Sequence, residues 1–246
     1  MIALNSSAKV LKLDFHLHTI DDPEDQHIRH TPQELIDKAA LLGYDVLAIT
    51  LHNKQLWENS ILAYAKSKGI LLLPGVEREI EGSHVLLINF KAEEVIAIKS
   101  FADLARFKNE NNLVIAAHPY YPNSVCLQDD LLKHWNLFDA VECSGFFHKL
   151  WNPNHKTLTI ANERGKPIIG NSDTHTLEQF GTIWTEVVAE PNAEAIVQAL
   201  KTGKGIVKSR PLKSFEMLKI GVKVIGYGYC KWINYKRSRR YLLPAE

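Results

Sequence analysis

The feature that most constrains the fold of this sequence is a series of short apolar runs, each followed by ionisable side chains. The first run contains Val10, Leu11 and Leu13 and leads into His16 and His18. Because successive side chains of a strand alternate between its faces, the two histidines point the same way. Later apolar runs end at the following ionisable residues: His52, Glu77, His118, Glu142, and Asp173 with His175.

Segments with helical periodicity separate these runs, so predicted strands and helices alternate along the chain. Thr31-Pro32 opens one helix, with Thr as the N-cap and Pro at the first helical position, and Gly43 ends it. Such alternation predicts a parallel sheet, either a (β/α) barrel or an open doubly wound sheet. The barrel is favoured because its strand ends converge on one mouth, whereas an open sheet would hold these residues apart.

A barrel would therefore gather imidazoles and carboxylates at one end. Each of these residues has an ordinary explanation when taken alone, such as a hydrogen-bonded histidine near the core or a carboxylate capping a turn. Eight or nine of them together would carry a desolvation cost that bound cations compensate. Imidazoles and carboxylates without thiolates suit zinc, manganese or iron.

Composition excludes several classes of protein. The net charge of +1 argues against a chain built as a whole to hold nucleic acid electrostatically. Three cysteines, Cys126, Cys143 and Cys230, show no paired spacing, which favours a reducing, cytoplasmic setting. The N-terminus lacks a signal pattern and no run of eighteen apolar residues occurs, so we expect no membrane span.

Five motifs, in this order and spacing, resemble those of the polymerase and histidinol phosphatase (PHP) family. They are Asp14–Thr19, Ala48–Asn53, Gly75–Glu77, Ala116–Pro119 and Gly170–His175. The resemblance implies a distorted TIM-like (β/α)7 barrel, the PHP fold, with metal-dependent phosphoesterase activity. We expect residues 1–215 to form this domain and residues 216–246 to form a basic, aromatic C-terminal extension that packs on the barrel.

The resemblance also implies a centre of two to three divalent metal ions (Zn, Mn or Fe). The first ion would be held by His16, His18, Asp173 and a bridging Glu77. The second would be held by Glu77, His84 and His118. The third would be held by His52, His175 and a residue of the loop after His18. The family has an Asp or a His at that last position, shortly before a Ser/Thr-Pro pair. Thr31-Pro32 matches the pair, which indicates His27, with Asp21, Asp22 and Asp25 as rivals.

Leu51 departs from the family pattern, and the role of Glu142 is open. Leu51 stands where the family usually has an Asp that we expect to orient a ligand rather than bind the metal. Its loss keeps open the alternative of an inactive metal-binding domain with a regulatory role. Glu142 lies in a matching region, and its role is open between orienting a ligand and contacting the substrate.

The implied reaction is attack on phosphorus by hydroxide formed from a water at the trinuclear site. The implied catalytic residues are His16, His18, Glu77, Asp173 and His175. Arg78, His148 and His155 are candidates for binding the substrate or protonating the leaving group, or are ordinary surface residues. The expected substrate is a phosphorylated small molecule or a nucleotide. An exonuclease acting on short oligonucleotides is the alternative, supported only by the basic C-terminal segment.

Overall fold

A computed structural model describes residues 8–220 of the chain. The sequence predictions for residues 221–246, which make up most of the proposed C-terminal extension, lie outside the described residues. No helix within residues 8–220 has the length and apolar character needed to span a bilayer.

Strands and helices alternate through most of the described part. The strands are β1 (Lys9–Asp14), β2 (Val46–Ile49), β3 (Leu71–Ile80), β4 (Ser83–Ile88), β5 (Leu113–Ala116), β6 (Ala140–Ser144), β7 (Ile168–Asn171), β8 (Ile183–Ala189) and β9 (Ile206–Ser209). The helices are α1 (Pro32–Leu41), α2 (Asn59–Ser67), α3 (Ala92–Ala97), α4 (Phe101–Phe107), α5 (Asp130–Lys133), α6 (Asn154–Glu163) and α7 (Ala193–Lys201), with a 3₁₀ turn at Trp135–Leu137.

The strands form one sheet in the order β7-β6-β5-β4-β3-β2-β1-β8-β9. The sheet curls until β7 comes close to β8, where Thr185 Oγ1 accepts a hydrogen bond from Gly170 N at 2.8 Å. Gly170 permits this approach, because a Cβ there would lie 2.6 Å from Val207 Cγ1 on β9. The result is a nearly closed barrel, and the predicted α/β barrel fold is confirmed.

The sheet is mixed rather than wholly parallel, which corrects the expectation drawn from simple alternation. Strands β1, β2 and β3 are parallel, as are β5, β6 and β7, but β4 runs antiparallel to both β3 and β5. Strand β8 also runs antiparallel to both β1 and β9. The reversal of β4 follows from a two-residue turn, Glu81-Gly82, in which both residues have positive φ. A turn of this kind matches strand twist and forces a hairpin.

The core lies inside the barrel and beneath the surrounding helices. Leu11, Leu13, Phe15 and Ile115 belong to the cluster that includes the barrel interior, and all are fully buried. Between β4 and β5, the chain forms two short helices, α3 and α4, instead of one continuous helix. Ser100 ends the continuity because it caps α4, accepting a hydrogen bond from Asp103 N at 3.1 Å.

Candidate metal centre

The barrel places the predicted ionisable residues at one mouth. Strands β1, β2, β5, β6 and β7 deliver theirs at their carboxyl ends, as expected of a barrel. Strand β4 runs the opposite way, so its second residue, His84, reaches the same mouth. Glu77 lies within β3, because that strand continues past the mouth to form the hairpin with β4.

Glu77 is the centre of the cluster, and both of its carboxylate oxygens face imidazole nitrogens. Oε2 lies 3.2 Å from His16 Nε2, 3.3 Å from His18 Nε2 and 3.1 Å from His52 Nε2. Oε1 lies 2.7 Å from His84 Nδ1 and 3.2 Å from His118 Nε2. We call His16, His18 and His52 the Oε2 group, and His84 and His118 the Oε1 group. One buried carboxylate thus joins five histidines from four different strands or strand ends.

Asp173 closes the cluster from the side of β7. Its Oδ1 lies 3.4 Å from His16 Nε2, 3.7 Å from His18 Nε2 and 3.4 Å from His175 Nδ1. The residue has a φ of 52°, in the left-handed region that few non-glycine residues adopt. This turn directs the carboxylate of Asp173 toward the Oε2 group.

The loop after His18 supplies acids to the same region. Asp25 Oδ2 lies 2.8 Å from His175 Nε2 and 3.7 Å from His52 Nδ1, which places Asp25 between these two histidines. His27 Nδ1 lies 3.7 Å from Asp25 Oδ1, and its ring stacks on His175 with centroids 5.9 Å apart. Asp22 lies closer to His52, with Oδ2 at 3.0 Å from Nδ1, but Asp25 is the acid of this loop that contacts both His52 and His175.

The outer nitrogens of the Oε2 group are held by buried carboxylates. His16 Nδ1 lies 2.8 Å from Glu142 Oε1, and His18 Nδ1 lies 2.8 Å from Asp22 Oδ2. His52 Nδ1 shares Asp22 Oδ2 at 3.0 Å. Such partners fix the ring orientation and leave Nε2 to face a cation.

The Oε1 group is supported differently. His118 Nδ1 lies 3.2 Å from the thiol Sγ of Cys126, and His118 N donates to Glu142 Oε2 at 2.8 Å. His84 N donates to the carbonyl of Val125 at 2.8 Å. The loop that contains Val125 and Cys126 therefore contacts both histidines of this group.

Opposite charges stabilise each other in the buried cluster. Burial alone would raise the pKa of the Glu77 carboxyl, but the neighbouring imidazoles of His16 and His84 hold it well below its usual value. Burial opposes protonation of His52 and His175, yet the facing carboxylates raise the pKa of each to about 9. Divalent cations would replace the ring protons as the positive charge that these carboxylates require.

Two buried imidazole nitrogens indicate whether the site suits bound cations. Within residues 8–220, His16 Nε2 and His18 Nε2 are shielded from solvent and make no hydrogen bond, although both lie near Glu77 Oε2. Unpartnered polar atoms inside a protein are costly, so a ligand that accepts their lone pairs would stabilise the site. Groups of three nitrogen and oxygen donors close enough to share one ion include His16 with His18 and Asp173, and Glu77 with His84 and His118. The donor set fits divalent metal ions.

The three candidate substrate residues lie in different settings. Arg78 donates from Nη1 to Asn53 Oδ1 at 2.7 Å and from Nε to the Ile98 carbonyl at 2.9 Å. His148 Nε2 lies 3.2 Å from Ser214 Oγ. His155 is exposed in the first turn of α6. The guanidinium of Arg78 therefore binds Asn53, the residue that follows His52.

Sequence reasoning gave no role to several residues that support the site. Asn171 donates from Nδ2 to Glu142 Oε1 at 2.9 Å, and Asp14 accepts from Ser172 N at 3.1 Å. Burial raises the pKa of Asp14 to about 7. Both residues end apolar strands with a polar side chain, which is the only signal in the sequence that marks them. Cys126 carried no signal beyond its place in the loop after His118.

Comparison with known proteins supports the architecture. A family model described as PHP-associated matches residues 151–204. A two-domain protein from Bacteroides vulgatus, containing a predicted PHP-like metal-dependent phosphoesterase, has 18% identity and a TM-score of 0.65, covering 87% of this chain and 69% of its own. No curated protein has a sequence significantly similar to this chain.

Two further solved structures share the fold over nearly their whole length. PsfC from Pseudomonas syringae has 15% identity and a TM-score of 0.62, covering 90% of this chain and 99% of its own. A predicted metal-dependent phosphoesterase from Bifidobacterium adolescentis has 16% identity and a TM-score of 0.52, covering 86% of this chain and 96% of its own.

The fold and the clustered metal-competent residues define a PHP-like barrel with a candidate metal centre. Together with the PHP-associated match, they confirm the resemblance to the PHP family that the five sequence motifs indicate.

Proposed function

We propose that the chain is a metal-dependent phosphoesterase that hydrolyses a phosphate ester of a small molecule or nucleotide. The observation that carries the proposal is the position of Glu77, whose two oxygens face separate groups of histidines. A carboxylate in this position suits a bridge between neighbouring cations. Glu77 would act as that bridge, with the rest of the cluster completing each ion's ligands.

The proposal assigns ligands to a trinuclear centre. The first ion would be held by His16, His18, Glu77 and Asp173. The second would be held by Glu77, His84 and His118. For the third, we propose His52, His175 and Asp25, with His27 as the alternative to Asp25. The contact of Asp25 with His175 at 2.8 Å supports this choice.

Cations bound there would supply Lewis-acid stabilisation of phosphate oxygens and lower the pKa of coordinated water toward neutrality. The histidines and carboxylates would fix the position of the reacting phosphate, and Glu142 would hold His16 in place. His148 and His155 follow β6 on the side where the strands end, so we keep them as candidates for proton donation to the leaving oxygen. Arg78 would act through Asn53 rather than on the substrate, because Asn53 and Ile98 engage its guanidinium.

The proposed catalytic domain spans residues 1–215, and the proposed extension spans residues 216–246. The PHP-associated match at residues 151–204 falls inside the former. Buried Cys126 and Cys143 are both free thiols, which suits a reducing compartment such as the cytoplasm.

The test is hydrolysis by the full chain after chelation and after readdition of Mn²⁺ or Zn²⁺. The substrates are a generic aryl phosphate, mononucleotides, 3′,5′-bisphosphates, histidinol phosphate and short oligonucleotides. We expect phosphate release to stop with the chelator and to return with the metal. Hydrolysis that survives chelation would contradict the proposal.

The same panel separates the alternatives. Release of mononucleotides from oligonucleotides, without release of phosphate from monoesters, would identify an exonuclease instead. Tight binding of Mn²⁺ without hydrolysis of any substrate would identify an inactive metal-binding domain.

A further inference from the structure

Asp22 occupies an unusual position beneath two of the proposed ligands. It lies in the loop after His18 and is only 4% exposed. Its Oδ2 accepts from His18 Nδ1 at 2.8 Å, from His52 Nδ1 at 3.0 Å and from His52 N at 3.0 Å. A single oxygen therefore contacts two histidines that come from different strands.

The other oxygen of Asp22 organises its own loop. Oδ1 accepts from the backbone N–H groups of Glu24 at 2.9 Å and Asp25 at 3.1 Å. This turn directs Asp25 toward His175. Asp22 thus links three residues that we propose as metal ligands: His18, His52 and Asp25.

Its hydrogen bonds leave Asp22 poorly placed to bind a cation. A carboxylate offers about four lone-pair sites, and five N–H donors already converge on this one. The donors surround both oxygens, so a cation at Asp22 would have to displace several of them. The geometry suits a residue that orients ligands.

Leu51, the neighbour of His52 in sequence, offers no carboxylate that could orient it. It precedes His52, at the position where the sequence motif usually carries an aspartate, and it is fully buried in the apolar cluster with Leu17, Leu35 and Phe180. That position therefore contributes packing, and its side chain supplies no carboxylate to His52.

We propose that Asp22 is the positioning residue that replaces the missing carboxylate and holds Nε2 of both His18 and His52 toward the metal centre. The proposal rests on the proposed metal site but not on the proposed reaction. Ring partners of this kind typically contribute 10- to 100-fold to metal affinity. Asp22 would serve two ligands at once.

The decisive variant is Asp22→Asn, because no orientation of an amide satisfies all of these donors. With its oxygen toward the histidines, its NH₂ would face the N–H groups of Glu24 and Asp25. When it is turned over, the NH₂ would face His18, His52 and the backbone N–H of His52. The matched control is Asp21→Asn, which removes the same charge from the preceding residue. Within residues 8–220, the hydrogen bond to the carboxylate of Asp21 is a long one, in which Oδ2 accepts from Thr19 Oγ1 at 3.4 Å.

The first measurement is titration of the metal-free full chain with Mn²⁺, with thermal unfolding to verify folding of each variant. We expect Asp22→Asn to bind Mn²⁺ at least tenfold more weakly and Asp21→Asn to stay within twofold of the wild type. Unchanged affinity in Asp22→Asn would overturn the proposal. Loss of one whole equivalent of Mn²⁺, with the others bound as tightly as before, would also overturn it by identifying Asp22 as a ligand.

The second measurement uses the Zn²⁺-loaded wild type and does not depend on any variant folding. Nitrogen-15 NMR should show His18 and His52 bound through Nε2, each with a slowly exchanging proton on Nδ1. Binding through Nδ1, or rapid exchange of both Nδ1 protons, would contradict the proposal. Because neither measurement uses hydrolysis, failure of the phosphoesterase function would leave their outcomes intact.

Discussion

The two sides of Glu77 are built from the same ligand type but supported by different chemistry. In the Oε2 group, every histidine places its outer nitrogen against a buried carboxylate of Glu142 or Asp22. In the Oε1 group, His118 rests on the thiol of Cys126, and His84 uses its Nδ1 on Glu77 itself. Hydrogen bonds to ionised partners are roughly twice as strong as neutral ones, whereas sulfur is a weak partner.

This difference indicates that the two sides should not bind cations equally. Carboxylate partners increase the basicity of an imidazole and restrict its rotation, so the Oε2 group should hold its two ions, the proposed first and third, more tightly. The Oε1 group depends on the loop around Val125 and Cys126, and we expect its ion to be the first lost on dialysis.

The largest expected effect comes from the residue that the two groups share. Glu77→Gln should remove the bridge and reduce kcat/KM for phosphate release by about 10³-fold or more, because it removes several kcal/mol of cation-derived stabilisation. Metal analysis should show loss of ions from both groups. Glu79→Gln, an exposed change two residues along β3, is the control. Loss of only one ion in Glu77→Gln would contradict the bridging role.

Glu142→Gln tests the support that reaches both groups. Glu142 contacts the ring of His16 and the backbone N–H of His118, and a glutamine cannot accept from every donor there. We expect Mn²⁺ affinity to fall about 10- to 100-fold with folding retained. Glu163→Gln, at an exposed position in α6, should bind as the wild type does. If Glu142→Gln bound Mn²⁺ within twofold of the wild type, Glu142 would not support the metal ligands.

The pH dependence of metal binding tests the charge arrangement. The pKa values of His52 and His175 are raised to about 9 in the metal-free protein, so below that pH a cation must displace ring protons. Apparent Mn²⁺ affinity should therefore rise from pH 6 to pH 8, by about tenfold per pH unit for each proton displaced. Titration calorimetry in buffers of different ionisation enthalpy would count those protons. An affinity independent of pH would show that these histidines are not ligands.

The smallest effect is expected at the thiol. Cys126→Ala should weaken the ion of the Oε1 group by less than about tenfold, since it removes one weak hydrogen bond from His118. The two ions of the Oε2 group should be unaffected. Cys143→Ala, at another buried cysteine, controls for lost packing. Equal weakening of all three ions by Cys126→Ala would refute the division into two groups.

The sequence indicates which side chains gather at the mouth of the barrel, because strand ends are visible in it. Apolar runs followed by His52, His118 or Asp173 mark places where a barrel must bring side chains together. The direction of β4 cannot be read from the sequence, because Pro74 and Gly75, which are typical of a strand end, precede Glu77. In the structure β3 continues to Ile80, and hairpin pairing with β4 overrides that local signal.

The residues behind the ligands could not be predicted for a different reason. Asp21, Asp22 and Asp25 are chemically alike and close in sequence, and only the path of the loop decides which one meets His18 and which meets His175. Cys126 is eight residues from His118, and its thiol reaches the ring only because the loop folds back. Such contacts depend on tertiary structure and leave no periodic pattern.

The most direct test of the central claim is anomalous diffraction at the zinc edge from a crystal grown with Zn²⁺. We expect peaks on both sides of Glu77, with one zinc about 2.0–2.2 Å from Oε1 and one at the same distance from Oε2, and with the peaks on the Oε2 side the stronger. A mouth without a peak near either oxygen of Glu77, or with ions that Glu77 does not contact, would contradict that claim.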